Sequence, residues 1–152
     1  MKKKAIDSKT IKYVAKEKPP VVEEPTANYM RSIIAFPSSN KFTYKDFKTI
    51  AESTPFTIAQ WALMLHVSER TLQRYAKNNS SFAPINAERA LQIIKLIKKG
   101  IDILGSVDKF YNWLNRNPYM LEGNLSLQSL TTSDGINDVL TQLNRIEQGL
   151  FA

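Results

Sequence analysis

The side chains best suited to chemistry in this sequence are basic and polar residues spaced along one short stretch. Arg70, Gln73, Arg74 and Lys77 fall on one side of a helix, with the two arginines one turn apart. Arginine is the usual reader of the guanine edge in the major groove, glutamine can read adenine, and lysine suits a phosphate. The pattern therefore predicts a helix that contacts double-stranded DNA through Ser68, Glu69, Arg70, Gln73, Arg74 and Lys77.

The elements needed to position that helix are present as a helix-turn-helix pattern over residues 57–76. Thr57 with Gln60 predicts a capping box at the start of the first helix, and Ser68 predicts an N-cap for the second. A small residue is needed where the two helices approach, and Ala62 supplies it. His66 occupies a turn position that is often glycine because it can require a positive φ, which histidine tolerates better than most residues. The alternative is a solvated helix face on an ordinary helical packing unit.

The remaining pattern is helical as well, and it predicts an all-α fold. Thr43 with Asp46 starts one helix, Asn86 is expected to cap a long helix that runs to about Leu104, and Gly105 suits a left-handed C-terminal position. Ser106 is expected to cap the next helix, and the last helix is expected from about Ser133 to Gln148. The predicted inward residues include Trp61, Leu72, Tyr75, Ala76, Phe110, Trp113, Ile136, Val139, Leu140, Leu143 and Ile146.

Composition excludes several classes of protein. The 152 residues contain no cysteine and one histidine, so a disulfide scaffold, a thiolate metal site and a histidine-based triad are excluded. No phosphate loop or nucleophile motif is present, which predicts a protein that is not an enzyme and has no cofactor or metal. No apolar run is long enough to cross a membrane and no signal-peptide core follows Met1, so we expect a cytoplasmic protein.

Charge divides the chain into three parts. Net charge is +6 over residues 1–50, +4 over residues 51–100 and −3 over residues 101–152. We predict a basic, proline-containing tail at residues 1–40, a helix-turn-helix domain for DNA binding and dimerisation at residues 41–105, and a second helical domain at residues 106–152. The lysines of the tail could follow a phosphate backbone or enter a minor groove, or they could form a solubilising end.

A further set of residues in the last third of the chain carries a family resemblance. The set reads Phe110-x-x-Trp113-Leu114, Asn117-Pro118, Leu121-Glu122-Gly123, Leu127-x-x-Leu130-x-Thr132-x-x-Gly135 and Val139-x-x-x-Leu143-x-Arg145-Ile146-Glu147-x-Gly149. It resembles the toxin-binding domain of the Xre/MbcA/ParS antitoxin family, and the resemblance extends over about residues 55–152. Two departures are Glu122, where the family often has glycine, and Ser126, where it usually has proline.

The resemblance implies an antitoxin of a type II toxin–antitoxin system. Such a protein neutralises a RES-domain toxin, which consumes NAD or uses it to modify a protein, by restricting access to the NAD pocket. Its helix-turn-helix half binds operator DNA, usually as a homodimer. The residues carried over as toxin-binding are Leu121, Gly123, Asn124, Gly135, Arg145 and Gly149, with Leu150, Phe151 and Ala152 at the end of the chain.

Two alternatives stay open at this point. Arg145 could pair with acidic groups of a toxin, or it could be an exposed helix residue in a structural ion pair. The whole chain could instead be a stand-alone helix-turn-helix transcriptional regulator whose C-terminal domain dimerises.

Overall fold

A computed structural model describes residues 42–120 and 123–150 of the chain. The predicted tail, residues 1–40, lies outside the described residues. The described part is mostly helical, which confirms the all-α prediction. The helices are α1 (Tyr44–Glu52), α2 (Ile58–Met64), α3 (Glu69–Asn78), α4 (Pro84–Leu104), α5 (Val107–Asn115), a 3₁₀ helix (Leu127–Thr131) and α6 (Ser133–Glu147).

Side-chain caps begin α1, α2 and α5 at the residues predicted from the sequence. Thr43 with Asp46 and Thr57 with Gln60 form complete capping boxes at α1 and α2. The Ser106 hydroxyl accepts the amide of Lys109, 3.2 Å away, at the start of α5. Each of these bonds satisfies a backbone donor that a helix leaves free in its first turn. The helix starts are therefore encoded locally, within four residues.

Three expectations about single residues are wrong. Asn86 does not cap α4, because the helix begins earlier, at Pro84, whose ring suits a first helical position and needs no amide partner. Ala76 is exposed, because Leu72 and the half-buried Tyr75 form the side of α3 that packs on the core and Ala76 lies outside that side. Leu140 is 36% exposed, at the outer edge of the contact between α6 and α4.

One hydrophobic core joins the two halves of the chain. Its buried residues extend from Phe42 to Leu143, and they come from both sides of Gly105. Trp61 is fully buried and meets Phe47 and Phe56 edge-on at ring-centroid distances of 5.3 and 5.7 Å. Helix α4 is the common support, since α5 and α6 both pack against it. The prediction that Trp61 points inward is confirmed.

A short antiparallel ribbon follows α5. Strand β1 (Tyr119–Met120) pairs with β2 (Gly123–Asn124), so that Tyr119 faces Asn124 and Met120 faces Gly123. Two residues per strand are too few to produce an alternating pattern, so no periodicity in the sequence predicts this ribbon. Gly123 has φ +135, a conformation that L side chains rarely adopt, which explains glycine at this position.

Gly100 allows the close approach of α4 and α5, and its replacement tests that contact. A Cβ at this position would lie less than 3.0 Å from three atoms of the buried Phe110 ring. We expect Gly100→Ala to lower the free energy of unfolding by about 1–2 kcal/mol, because overpacking exceeds the gain of about 1 kcal/mol in helix propensity. Urea unfolding measures this change. In a Phe110→Leu background the same substitution should cost less, and an unchanged or higher stability of Gly100→Ala alone would contradict the contact.

Candidate functional site

The turn between α2 and α3 is a Schellman motif built around His66. The amide of Val67 donates to the carbonyl of Ala62 at 3.0 Å, and the amide of His66 donates to that of Leu63 at 3.2 Å. His66 has φ +57, the left-handed conformation that this motif requires and that glycine usually supplies. The expectation of a positive φ at His66 is confirmed. The motif leaves Val67 packed against the core and directs the chain into α3.

Ser68 starts the second helix of the motif. Its hydroxyl oxygen accepts the amide of Thr71 at 3.1 Å and lies 2.9 Å from the Thr71 hydroxyl. Ser68 is therefore a cap, as predicted, and its side chain is exposed on the same side as the basic residues of α3. Leu72, which is 1% exposed, fixes the opposite side of α3 in the core.

The predicted DNA-binding residues share one face of α3. Arg70, Gln73, Arg74 and Lys77 are all exposed and line one shallow groove together with Ser68 and Thr71. Glu69 is exposed in the first turn of the helix, where a carboxylate is favoured by the helix dipole, and it does not line that groove. The structure therefore brings together every residue of the predicted DNA-binding set except Glu69.

The C-terminal end of α3 is also held by a hydrogen-bonded turn. Asn79 adopts a left-handed conformation with φ +42, and the amide of Ser80 donates to the carbonyl of Tyr75 at 3.2 Å. This is a second Schellman motif, with asparagine at the left-handed position. Helix α3 is thus held at both termini and by Leu72 between them, so its outer face has one orientation relative to the core.

Three polar side chains that the sequence did not single out as interacting join the turn to the rest of the fold. Asn86 Nδ2 donates to the carbonyl of Leu65 at 2.9 Å, and Arg89 Nε donates to that of Met64 at 3.2 Å. His66 Nε2 lies 2.6 Å from the carbonyl oxygen of Thr131, and it must donate because a carbonyl only accepts. We call Asn86, Arg89 and His66 the turn clamp.

Arg89 is the central member of the turn clamp. Besides Met64, its guanidinium donates to the carbonyl of Leu130 at 3.0 Å and reaches the hydroxyl of Ser133 at 3.2 Å. The acceptors Met64 and Leu130 lie at the C-terminal ends of α2 and the 3₁₀ helix, where carbonyls lack helical partners and a cation is favoured. Desolvation lowers the pKa of Arg89 from its ordinary value, but that value is so high that the group stays charged at neutral pH.

The turn clamp could not have been found from sequence alone. Asn86 and Arg89 are three residues apart and so share a face of α4, but polar pairs at this spacing occur on most exposed helices. Their acceptors are backbone carbonyls more than 20 residues away in the chain, and a carbonyl has no residue identity. The only sequence feature that points to the turn clamp is His66, at a turn position that is often glycine.

The predicted toxin-binding residues occupy several places. Gly123 and Asn124 are exposed on β2, Arg145 is half-buried in α6, and Gly149 and Leu150 follow that helix. Leu121, Phe151 and Ala152 lie outside the described residues. Gly135 and Gly149 are at opposite ends of α6, about 20 Å apart at 1.5 Å per residue. The set therefore extends along α6 and does not form one compact cluster.

Two of these residues have roles within the fold. Gly135 is buried, and a Cβ there would collide with the carbonyl of Ser129, so glycine lets α6 approach the 3₁₀ helix. Its contribution to a partner surface would be indirect. Gly149 has φ +73, and the amide of Leu150 donates to the carbonyl of Arg145 at 2.8 Å, which makes a third Schellman motif. Leu150 itself is 59% exposed.

Arg145 has one buried atom without a partner. Nη1 of its guanidinium is shielded from solvent, and the described part of the chain offers it no hydrogen-bond acceptor. An ion pair seen nearby instead joins Lys99 on α4 to Glu147 on α6 at 2.5 Å. A buried guanidinium nitrogen without an acceptor costs free energy.

No protein-family model and no curated protein matches this chain. Among the described residues, no helix is long and apolar enough to cross a membrane, and no group of three or more histidine, aspartate or glutamate side chains is placed to hold a metal ion.

Replacement of Arg89 tests the turn clamp. We expect Arg89→Ala to lower the free energy of unfolding by about 1.5–3 kcal/mol, since it removes charged donors from two helix-end carbonyls. Arg89→Lys should lower the free energy of unfolding by less, because its ammonium group can reach one of the acceptors. Arg70→Ala is the matched control, and as an exposed substitution on α3 it should change stability by less than about 0.5 kcal/mol in urea unfolding. Equal effects of Arg89→Ala and Arg70→Ala would show that the clamp does not stabilise the fold.

Proposed function

We propose that the chain is the antitoxin of a type II toxin–antitoxin system. In this proposal the C-terminal part binds a RES-domain toxin and restricts access to its active site, while α3 binds operator DNA and represses the chain's own operon. The protein acts as a homodimer in the cytoplasm, and the toxin, not the antitoxin, carries the NAD chemistry.

The DNA-binding half rests on one observation, the packing of α3 with its basic face directed outward. The Schellman turn at His66, the Ser68 cap and buried Leu72 fix the helix, and its outer face carries Arg70, Gln73, Arg74 and Lys77 side by side. Arginine and glutamine in this arrangement can form bidentate bonds to base edges in a major groove. A helix with this support can read bases without first ordering itself, which lowers the entropic cost of binding.

The toxin-binding half rests on the sequence resemblance and on charge. The last third of the chain has a net charge of −3, in contrast to the basic residues around α3. Arg145 and the exposed Leu150 lie at the end of α6, a different element from α3. These features support a protein partner for this region, separate from the DNA.

The DNA-binding proposal predicts selective losses on α3. We expect Arg70→Ala and Arg74→Ala each to weaken binding to the operator by about 1–3 kcal/mol, because each removes a contact to a base edge, and to leave toxin neutralisation intact. Fluorescence anisotropy with labelled DNA from upstream of the chain's own reading frame measures the affinity. Lys109→Ala removes the same charge from an exposed site on α5 and should have much less effect. Equal binding of the unmodified protein to operator and random duplexes would contradict sequence-specific reading.

The toxin-binding proposal predicts the opposite selectivity at the end of the chain. We expect removal of residues 149–152 to abolish neutralisation and spare DNA binding, since Glu147 is retained and its bond to Lys99 can persist. Growth rescue on co-expression with the RES-domain protein of the neighbouring reading frame measures neutralisation. Leu150→Asp tests the same surface without shortening the chain, because this side chain is exposed. A shortened chain that still protects cells would show that the end is not required.

Co-purification separates this proposal from the alternative of a stand-alone regulator. A stable complex with a RES-domain protein supports the antitoxin. DNA binding without any such complex, and without a RES-domain reading frame nearby, supports the regulator.

A further inference from the structure

The start of α1 is fastened next to the end of α3. The amide of Tyr44 donates to the carbonyl of Ser80 at 3.1 Å, and Thr43 pairs with Ser81 as an antiparallel bridge. Ser80 and Ser81 follow directly on the left-handed Asn79 that ends α3. The first turn of α1 therefore lies beside the C-terminal end of the candidate DNA-binding helix.

Aromatic packing holds the same two helices together. The ring centroid of Phe82 lies 5.4 Å from that of Phe47 on α1 and 4.9 Å from that of Tyr75 on α3. Phe47 is fully buried and Phe82 is 6% exposed. One side chain thus contacts both helices inside the core, so the position of α1 relative to α3 is set by packing as well as by hydrogen bonds.

Lys45 is an exposed cation at this junction. It follows Tyr44 directly, and consecutive Cα atoms are about 3.8 Å apart, so its Cα lies within about 9 Å of the carbonyl oxygen of Ser80. Lys77, the last basic residue of the candidate DNA-binding face, is also exposed and comes three residues before Ser80. Lys45 therefore extends the basic surface of α3 past the end of that helix.

The acidic groups of α1 are engaged with other partners. Asp46 Oδ2 accepts the amide of Thr43 at 3.0 Å and its hydroxyl at 2.6 Å, as part of the capping box. Glu52 pairs with Lys48 at 3.5 Å, further along the helix. Within the part of the chain that the structure describes, Lys45 has no ion-pair partner, and its charge can face an external anion.

We propose that Lys45 binds a phosphate of the same DNA duplex that α3 reads, at the C-terminal end of α3 and next to Lys77. The inference rests on the proposed DNA binding and deepens it, because it adds a contact from a helix outside the helix-turn-helix. Each strand of a duplex carries one phosphate about every 3.4 Å along the axis, so a backbone that passes the end of α3 presents phosphates to both lysines. Such contacts carry no base information, but they fix the orientation of a reading helix on the duplex.

Salt dependence tests this contact on the full chain. Lys45→Gln removes the charge from an exposed site and retains a good helix former. One phosphate contact contributes about 0.9 to the slope of log K against log salt, so between about 50 and 200 mM salt the slope should become shallower by about 0.9. Affinity at about 100 mM salt should fall by about 5- to 10-fold. Fluorescence anisotropy should show the same loss on operator and random duplexes, because a phosphate contact does not read bases.

Lys48→Gln is the matched control for Lys45→Gln. It removes the same charge from the same helix, but the side chain is paired with Glu52 and lies almost one turn further from the bond between Tyr44 and Ser80. The salt slope of this control should stay nearly unchanged. Equal losses in the two variants would show a general effect of net charge and overturn the assignment.

Methylphosphonate substitution locates the contact, since it replaces one charged phosphate of the operator with a neutral group. At the phosphate that Lys45 binds, the substitution should weaken binding of the unmodified protein and leave that of Lys45→Gln unchanged. If every position affects the two proteins equally, the proposal is wrong.

The remaining outcomes separate this proposal from the function on which it rests. An unchanged salt slope in Lys45→Gln would overturn the role of Lys45, whereas a loss of operator preference in Arg70→Ala would still support DNA reading by α3. If Lys45→Gln keeps its DNA affinity and instead weakens the complex with the RES-domain protein, the lysine binds an acidic protein surface and the proposal fails. If the unmodified protein binds neither duplex, both the DNA-binding function and this inference fail.

Discussion

The candidate DNA interface depends mostly on the hydrogen bonds made to the last carbonyls of α2. A helix that ends inside a fold leaves carbonyls without partners, and a tight turn requires one residue in a left-handed conformation. His66 adopts that conformation, while Asn86 and Arg89 donate to the carbonyls of Leu65 and Met64. Once this end is fixed, Val67 and Leu72 can enter the core only with the basic face of α3 turned outward. The outward position of the basic side chains of α3 is thus a consequence of the hydrogen bonds made to the carbonyls of α2, on the other side of the turn.

The same bonds explain why the two halves of the chain form one core. Arg89 lies on α4 and reaches both the end of α2 and the 3₁₀ helix, and His66 reaches the carbonyl of Thr131. A change in the 3₁₀ helix or at the start of α6 would therefore change the acceptors of the turn that positions α3. The boundary predicted near Gly105 marks a left-handed helix end, but the hydrogen bonds that position the candidate DNA-binding helix α3 cross it.

Sequence reasoning succeeded where the physical cause is local. Capping residues act within four positions, and the left-handed residue of a turn is recognisable from its place between two helices, so Thr57, Ser68 and His66 could be assigned. It failed where the partner is remote or has no residue identity. Asparagine favours a cap position, which predicts Asn86 as the cap of α4, whereas its amide donates to a carbonyl 21 residues earlier. Leu140 was placed inward because its spacing fits, but the width of the buried face of α6 depends on α4, which no periodicity within α6 can reveal.

The structure also gives a physical meaning to the residues that carry the family resemblance. Gly135 is required by a carbonyl of the 3₁₀ helix, Gly149 by a left-handed helix end, and Gly123 by its φ in the ribbon. Phe110 and Leu143 are fully buried. These positions are constrained by the path of the backbone and by packing, so a match at them favours a shared fold more directly than a shared partner. Discrimination between partners would then come from exposed side chains that the fold does not constrain, such as Leu150 after α6. Under the proposed antitoxin function, the choice of toxin is therefore expected to lie at exposed residues such as Leu150, and the buried motif positions to hold them in place.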